Sequence, residues 1–186
     1  FLNMQMLDFV VRFAGEGGQG VVTSAEGLAQ SSTQVGYHAL TFATFPSQIL
    51  GGPTWTQARN SVDAVLSPGD DVDVLVAFNR EAYDAHSLEV REVGVIIFNS
   101  TEFELEEEPR GLGLPIDDLA KSTGNNRAAN MVIMGALAHL VNMPNENLEE
   151  FVEMRFNRGR AGDDEIIRSN IQALGLGREH IASSGF

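Results

Sequence analysis

Apolar residues come along this chain in short blocks, and the period changes from block to block. Phe9-Val10-Val11-Arg12-Phe13-Ala14 is a nearly continuous run, as a buried strand requires, and predicts a first strand over about Leu7–Ala14. From Gly20 to Gln34 the spacing becomes helical: Val21, Val22, Ala25, Leu28 and Ala29 share one stripe, and Gly36 supplies a stop. A second strand is predicted over Tyr37–Phe42. The stretch from Phe45 to Pro53 is too rich in turn formers for regular structure. Thr54–Val62 alternates, with Trp55, Gln57, Arg59 and Ser61 on one face, and Ser67-Pro68-Gly69-Asp70 reads as a turn. Val72–Phe78 and Val93–Phe98 read as buried parallel strands, dense in β-branched residues, with a short helix over Asn79–Ser87 between them.

The second half changes character. Five Glu between positions 102 and 108 predict a solvated loop, Gly111–Pro115 a connection, and Pro115–Ala120 a short helix. Asn130–Val141 is apolar on nearly all sides and predicts a helix buried in a core or between subunits. Leu148, Phe151, Val152 and Phe156 mark a further helix, with Asn147-x-x-Glu150 as a capping box. Asp163–Leu174 predicts a last helix, with Ile166, Ile167, Ile171 and Leu174 inward and Gly175 as its stop. Strand–helix alternation with buried strands predicts a Rossmann-like three-layer α/β domain, its sheet mostly parallel and its C-terminal part helical. No repeat or linker interrupts it, so residues 1–186 read as a single domain.

Composition narrows the chemistry. With 26 acids against 12 bases, the net charge of −14 argues against nucleic acid or an anionic membrane as partner. No segment has the roughly 18 apolar residues of a membrane span, and the first six residues do not resemble a signal peptide. A cytoplasmic location is the expectation. The chain has no cysteine, which excludes disulfides, thiolate zinc sites and thiolate-held iron–sulfur clusters on it. His38, His86, His139 and His180 have no metal-ligand spacing. Neither a Gly-x-Ser-x-Gly elbow nor a Gly-Asp-Gly thiamine motif occurs.

Two polar sets remain. Gly15-Glu16-Gly17-Gly18-Gln19-Gly20 lies between the first strand and the first helix, where backbone N–H groups can cradle an anion. Gly15, Gly17 and Gly20 satisfy G-x-G-x-x-G, but a dinucleotide site also needs an acid about 20 residues on. No Asp or Glu lies between Glu26 and Asp63. The plain alternative is a tight turn packed against a neighbouring subunit. The second set runs from Pro46 to Arg59. There a Gly51-Gly52-Pro53 turn leads into a strand whose Trp55, Gln57 and Arg59 face suits a ligand or an interface, unless its own chain covers it.

In order along the chain stand Gly15-Glu16-Gly17-Gly18-Gln19-Gly20-Val21, Thr44-Phe45-Pro46-Ser47-Gln48-Ile49-x-Gly51-Gly52, Gln57-x-Arg59-x-Ser61, Asp73–Asn79 and Asn130-Met131-x-x-x-Gly135-Ala136. Together they resemble the gamma subunit of the 2-oxoacid:ferredoxin (acceptor) oxidoreductases, over about residues 8–175. That domain is either a free subunit or fused at the N-terminus of a longer alpha subunit, and the Phe-Pro-Ser-Gln stretch is similar to the fused, 2-oxoglutarate-type branch. The resemblance implies membership of a complex with alpha and beta subunits and a ferredoxin-type acceptor. The complex would convert a 2-oxoacid, 2-oxoglutarate or pyruvate, and coenzyme A to acyl-CoA and carbon dioxide. It places thiamine diphosphate, magnesium and iron–sulfur clusters on other chains, so this chain alone would be silent, without catalytic residues or metal ligands.

The same resemblance carries Gly15, Gly17, Gly18, Gln19, Gly20 and Asn130 over as residues facing a phosphate, coenzyme A or a partner. Pro46, Ser47, Gln48, Gly51, Gly52, Trp55, Gln57 and Arg59 follow as interface residues. Two other readings stay open: a stand-alone nucleotide-binding protein using the glycine loop, and a self-association module built on the apolar helix 130–141.

Overall fold

A computed structural model describes residues 7–45 and 52–185 of the chain. The expected interface residues Pro46, Ser47, Gln48 and Gly51 lie outside the described residues. Contacts divide the chain into two compact units, residues 7–114 and residues 115–185.

The first unit is built on a six-stranded sheet in the order β2-β3-β1-β4-β5-β6. Its strands are β1 (Asp8–Glu16), β2 (His38–Thr44), β3 (Pro53–Ser61), β4 (Val72–Ala77), β5 (Val90–Asn99) and β6 (Gly111–Leu114). β1, β4, β5 and β6 pair in parallel, and β3 runs against both β1 and β2. The sheet is therefore mostly parallel, with one reversed strand set between β1 and β2. Alternation sorts the side chains by face. Ala14, Leu75, Ala77, Ile96 and Phe98 form a cluster under Ala82 and Tyr83 of helix α2 (Arg80–His86). Helix α1 (Val21–Gln34) packs across β1, β2 and β3. Tyr37, just past its end, meets Phe9 edge-on at 5.9 Å.

The buried stripe of α1 is rotated from the one the apolar residues predict. Val21, Ala25 and Leu28 are buried together with Ser24, Ser31 and Ser32, while Val22 and Ala29 are half-buried. Small serines let the helix approach the sheet, and an apolar-only stripe misses them. β6 replaces the connection expected at 111–115. Gly111 and Gly113 hide its alternation, yet Leu112 and Leu114 are buried, and a Cβ on Gly113 would lie 3.1 Å from the Phe98 ring.

The second unit holds α3 (Ile116–Ser122), a 3-10 turn at Asn126–Ala128, α4 (Ala129–Leu140), α5 (Asn145–Phe156) and α6 (Asp163–Ser183). Three expectations are corrected here. α5 starts at Asn145 after Pro144, so Asn147 stands inside the helix and forms no capping box. α6 runs through Gly175 to Ser183. Its buried stripe is Asp163, Asn170, Ala173, Leu174, Gly177 and Ile181; Ile166 is exposed, and Ile167 and Ile171 are half-buried.

The reason is a close crossing with α4. A Cβ on Gly135 would stand 1.9 Å from the Leu174 carbonyl oxygen, and one on Gly177 would stand 1.9 Å from the Val132 carbonyl oxygen. Each helix thus offers a glycine where the other presents backbone. Packing favours the small residues inward and carries the helix past Gly175, whose side has nothing within 4 Å.

These contacts predict opposite effects for one substitution type. Gly135→Ala and Gly177→Ala are expected to destabilise the chain by about 1–3 kcal/mol through overpacking. Gly175→Ala should stabilise it by about 0.5–1 kcal/mol through helix propensity. Urea denaturation of the three variants measures both signs.

Candidate functional site

The sheet reverses its winding between β1 and β4. β1 leads through α1 to β2 on one side, and β4 leads through α2 to β5 on the other. In open α/β sheets the crevice beyond the C-terminal ends of such a strand pair is where ligands bind. The glycine loop lies there, at the end of β1, facing Phe78 and Asn79 at the end of β4. Phe78 N–H donates to the Ala14 carbonyl at 2.9 Å, so the pairing continues up to the loop.

Three side chains, those of Gln19, Phe78 and Asn79, and a missing one set the loop's shape. Gly15 is buried, and a Cβ there would lie 2.5 Å from Gln19 Oε1 and 2.9 Å from Phe78 Cβ. Gln19 folds back into that space. Its Oε1 accepts the Glu16 N–H at 2.7 Å and faces Asn79 Nδ2 at 3.5 Å. Asn79 in turn caps α2, its Oδ1 accepting the Ala82 N–H at 2.8 Å. Gly18 and Gly20 have φ of 98° and 84°, a left-handed conformation natural to glycine. Gly20 begins α1 with no side-chain cap. The N–H groups of Gly18 and Gly20 meet no protein acceptor among the described residues. The first N–H groups of a helix lack intrahelical acceptors as well. The loop therefore presents several backbone donors and the positive end of a helix dipole, with exposed Glu16 beside them.

The structure brings the two polar sets of the sequence together. Gly17 N–H donates to the Gly52 carbonyl at 3.3 Å, and Glu16 pairs with Pro53. This contact also bears on the nucleotide reading. In a dinucleotide fold the strand beside β1 is parallel and ends in the ribose acid. Here the neighbour is β3, which runs the other way and begins at that edge. The departure from the dinucleotide pattern is thus in the backbone as well as in the missing acid.

Trp55, Gln57 and Arg59 share one face, and partners from their own chain meet them. Arg12, 5% exposed in the middle of β1, stacks over the Trp55 ring at 4.5 Å and donates to Gln57 Oε1 at 3.0 and 2.9 Å. Its guanidinium also pairs with Glu89 and contacts His86 Nδ1 at 3.2 Å. Gln57 Nε2 donates to the Pro68 and Gly69 carbonyls at 2.7 Å each. Arg59 makes a forked pair with Asp8 at 3.0 and 2.6 Å.

Burial holds His86 below the ordinary histidine value. It would raise Glu89, but the hydrogen bond and charge of Arg12 carry that carboxyl below its usual range. Trp55 stays half-buried beside exposed Phe42, ring centroids 5.7 Å apart, so the outer part of this face is open. Neither Arg12 nor Asn79 was marked by the sequence patterns as a site residue. In the sequence Arg12 is a lone cation in an apolar strand, and Asn79 stands only as the start of the short helix and the end of the Asp73–Asn79 motif.

Asn130 lies in the second unit. It is the second residue of α4, behind Ala128 at the cap position, where no side chain caps the helix. Among the described residues no three His, Asp or Glu side chains gather as a metal site. No described helix is long and apolar enough to cross a membrane.

A glycine loop at the switch point of a mostly parallel sheet places the chain among the open α/β proteins. More particularly, the chain belongs to the pyruvate ferredoxin/flavodoxin oxidoreductase family, whose model matches residues 10–180, across both units. It is 32% identical over 174 residues to the ketoisovalerate oxidoreductase subunit VorA of Methanothermobacter marburgensis, covering 91% of this chain and 36% of that protein. The chain thus spans about a third of the length of that relative. It is 26% identical to the 2-oxoglutarate synthase subunit KorC of Archaeoglobus fulgidus, covering 91% of this chain and 86% of KorC. Among solved structures, the 2-oxoglutarate:ferredoxin oxidoreductase of Magnetococcus marinus, with 2-oxoglutarate, coenzyme A and succinyl-CoA bound, superposes with a TM-score of 0.85 at 30% identity. That match covers 95% of this chain and 31% of the other. A keto/oxoacid ferredoxin oxidoreductase gamma subunit of Geobacter sulfurreducens shares the fold, with a TM-score of 0.80 at 24% identity over 95% of this chain and 97% of that one.

The loop geometry yields a coupled prediction. Gly15→Ala is expected to cost about 1–3 kcal/mol from its clash with Phe78 and Gln19. Gln19→Ala should cost about 0.5–1.5 kcal/mol from the lost hydrogen bond. The double variant should cost less than the sum, because the first change already displaces Gln19. A double-mutant cycle by denaturation reads this; strict additivity would contradict the contact.

Proposed function

We propose that this chain is the gamma-type part of a 2-oxoacid:acceptor oxidoreductase complex, assembled with alpha and beta subunits that carry thiamine diphosphate, magnesium and iron–sulfur clusters. The observation that carries the reading is length as well as likeness. The chain matches most of KorC, a protein named as one subunit, and about a third of VorA. A unit that stands as a subunit in one relative and as part of a longer subunit in another fits a module that works beside catalytic chains.

The complex would split a 2-oxoacid between its carboxylate and carbonyl carbons, release carbon dioxide, join the acyl group to the coenzyme A sulfur and pass an electron pair to a ferredoxin-type acceptor. No step of that chemistry is assigned to a side chain here. Without cysteine the chain supplies no thiolate for a cluster. Its own contribution is binding and orientation. The Gly18 and Gly20 N–H groups and the first turn of α1 suit a phosphate of coenzyme A or an acceptor on a partner chain, and Gly15, Gly17 and Gln19 hold them in place. Trp55 and Phe42 offer an apolar edge to a partner. Gly52 ties that strand to the loop, and Gln57 and Arg59 brace it. 2-Oxoglutarate is the favoured substrate, with pyruvate as the alternative. Asn130 is proposed to face a ligand or partner from the start of α4.

The unpartnered loop donors also favour a second reading, a nucleotide-binding protein acting alone. One experiment separates the two: anaerobic purification of the tagged chain from its own cells. The first reading predicts co-elution with chains that give iron–sulfur absorbance and oxidise one of 2-oxoglutarate, pyruvate or ketoisovalerate in a coenzyme A-dependent manner. A colourless lone chain without that activity would overturn it.

A further inference from the structure

The cations of the helical unit are placed unlike those of the sheet. Twelve Lys and Arg face 26 Asp and Glu in the sequence, so carboxylate partners are plentiful. In the sheet unit each arginine has one: Arg12 with Glu89, Arg59 with Asp8, Arg80 with Asp84, Arg91 with Asp71 and Asp73, and Arg110 with Glu108. In the helical unit Lys121 lies near Asp118, and Arg178 donates to the Met143 carbonyl and to Asn145. Arg127, Arg155, Arg158, Arg160 and Arg168 pair with no carboxylate among the described residues. Four of these five, Arg127, Arg158, Arg160 and Arg168, line a single cleft of about 650 Å³, where Asp163 and Glu165 are the acidic lining residues.

The cleft is held together by its own hydrogen bonds. Arg127 comes from the 3-10 turn before α4, Arg158 and Arg160 from the α5–α6 connection, and Arg168 from α6. Asp163 begins α6, and its Oδ2 accepts the backbone N–H groups of Arg158 at 2.7 Å and Arg160 at 2.9 Å. Those bonds keep its carboxyl below the usual range and commit it to shaping the connection that carries two of the arginines. Asn125 Nδ2 donates to Ser169 Oγ at 3.0 Å, which ties the Arg127 turn to α6 beside Arg168. Phe156, half-buried, supplies an aromatic wall.

Four guanidinium groups against the carboxylates of Asp163 and Glu165 leave the concavity with an excess of positive charge, which a bound anion would offset. Guanidinium forks match phosphoryl oxygens two at a time. The volume falls in the range of small-molecule sites, roughly 300–1,000 Å³, and a concave wall with one ring suits a small ligand better than a flat protein face. We infer that this cleft binds a phosphate-bearing small molecule of nucleotide size, its phosphoryl groups taken by Arg127, Arg158, Arg160 and Arg168.

Calorimetric titration of the full chain with ADP, pyrophosphate and adenosine tests the assignment. ADP is expected to bind at one site and adenosine to bind far more weakly. Arg158→Gln/Arg160→Gln should weaken ADP at least about tenfold, since bonds to charged groups are the strong ones. Arg168→Gln serves as a second variant should the pair disturb the connection, and Arg155→Gln, outside the cleft, should leave binding unchanged. Pyrophosphate binding as tightly as ADP would name the phosphoryl groups alone as ligand. Tighter ADP binding that falls in Phe156→Ala would name a nucleotide. Three results would overturn the inference: no saturable binding up to about 10 mM, far weaker than a specific small-molecule site; ADP affinity unchanged in all the cleft arginine variants; or binding of a polyglutamate peptide without binding of either phosphate compound. None of these depends on whether the chain joins an oxidoreductase complex, so the two readings fail separately.

Discussion

The missing side chain at Gly15 is the constraint on which the edge of the sheet depends. β1 and β4 run side by side to their ends, and the chain must leave β1 at once to start α1. Phe78 packs against Gly15 from the β4 side, and Gln19 folds back over the same position. That one side chain satisfies the Glu16 N–H and faces Asn79, which itself starts α2. A methyl group at Gly15 would push on all of these at once. With the loop closed from inside, the N–H groups of the left-handed glycines at 18 and 20, like those of the first turn of α1, are left without an acceptor among the described residues. The loop is thus held from the protein side and keeps donors without a described protein acceptor, which suits an anion or a partner acceptor.

Much of this was legible in the sequence. The buried parallel strands and the strand–glycine–helix unit follow from apolar runs and periodicity, and the structure holds them close to the expected bounds. The family resemblance is likewise carried by motifs in order. What was hidden depended on contacts between distant segments. The reversal of β3 cannot be read from Thr54–Val62, because alternation is the same in either direction. β6 was hidden by Gly111 and Gly113, whose lack of side chains breaks the pattern that marks a strand. α6 outlasted Gly175 because Gly177 must meet the Val132 carbonyl, a tertiary demand that overrides a local stop. The glycine loop was visible, but Gln19 as its internal closure and Asn79 as its neighbour needed coordinates. The arginine cleft was invisible for the same reason, since Arg127 is far in sequence from Arg158, Arg160 and Arg168.

The two units divide physical roles. In the sheet unit the arginines are spent internally. Arg12 is the extreme case, buried in the central strand and saturated by Trp55, Gln57, His86 and Glu89. Such a group braces a fold; removing one partner would leave a buried charge uncompensated. In the helical unit, glycines let α4 and α6 cross at backbone distance, and four arginines without a carboxylate partner among the described residues line one cleft.

Amide hydrogen exchange at Gly18, Gly20 and Val21 tests the central claim most directly. The isolated chain and the chain within its purified complex would be compared, the latter with and without coenzyme A. The account predicts fast exchange in the isolated chain and strong protection in the complex, at assembly if a partner chain takes the donors or on adding coenzyme A if its phosphates do. Unchanged exchange at all three amides in an assembled, active complex would contradict the assignment of the loop as the recognition element.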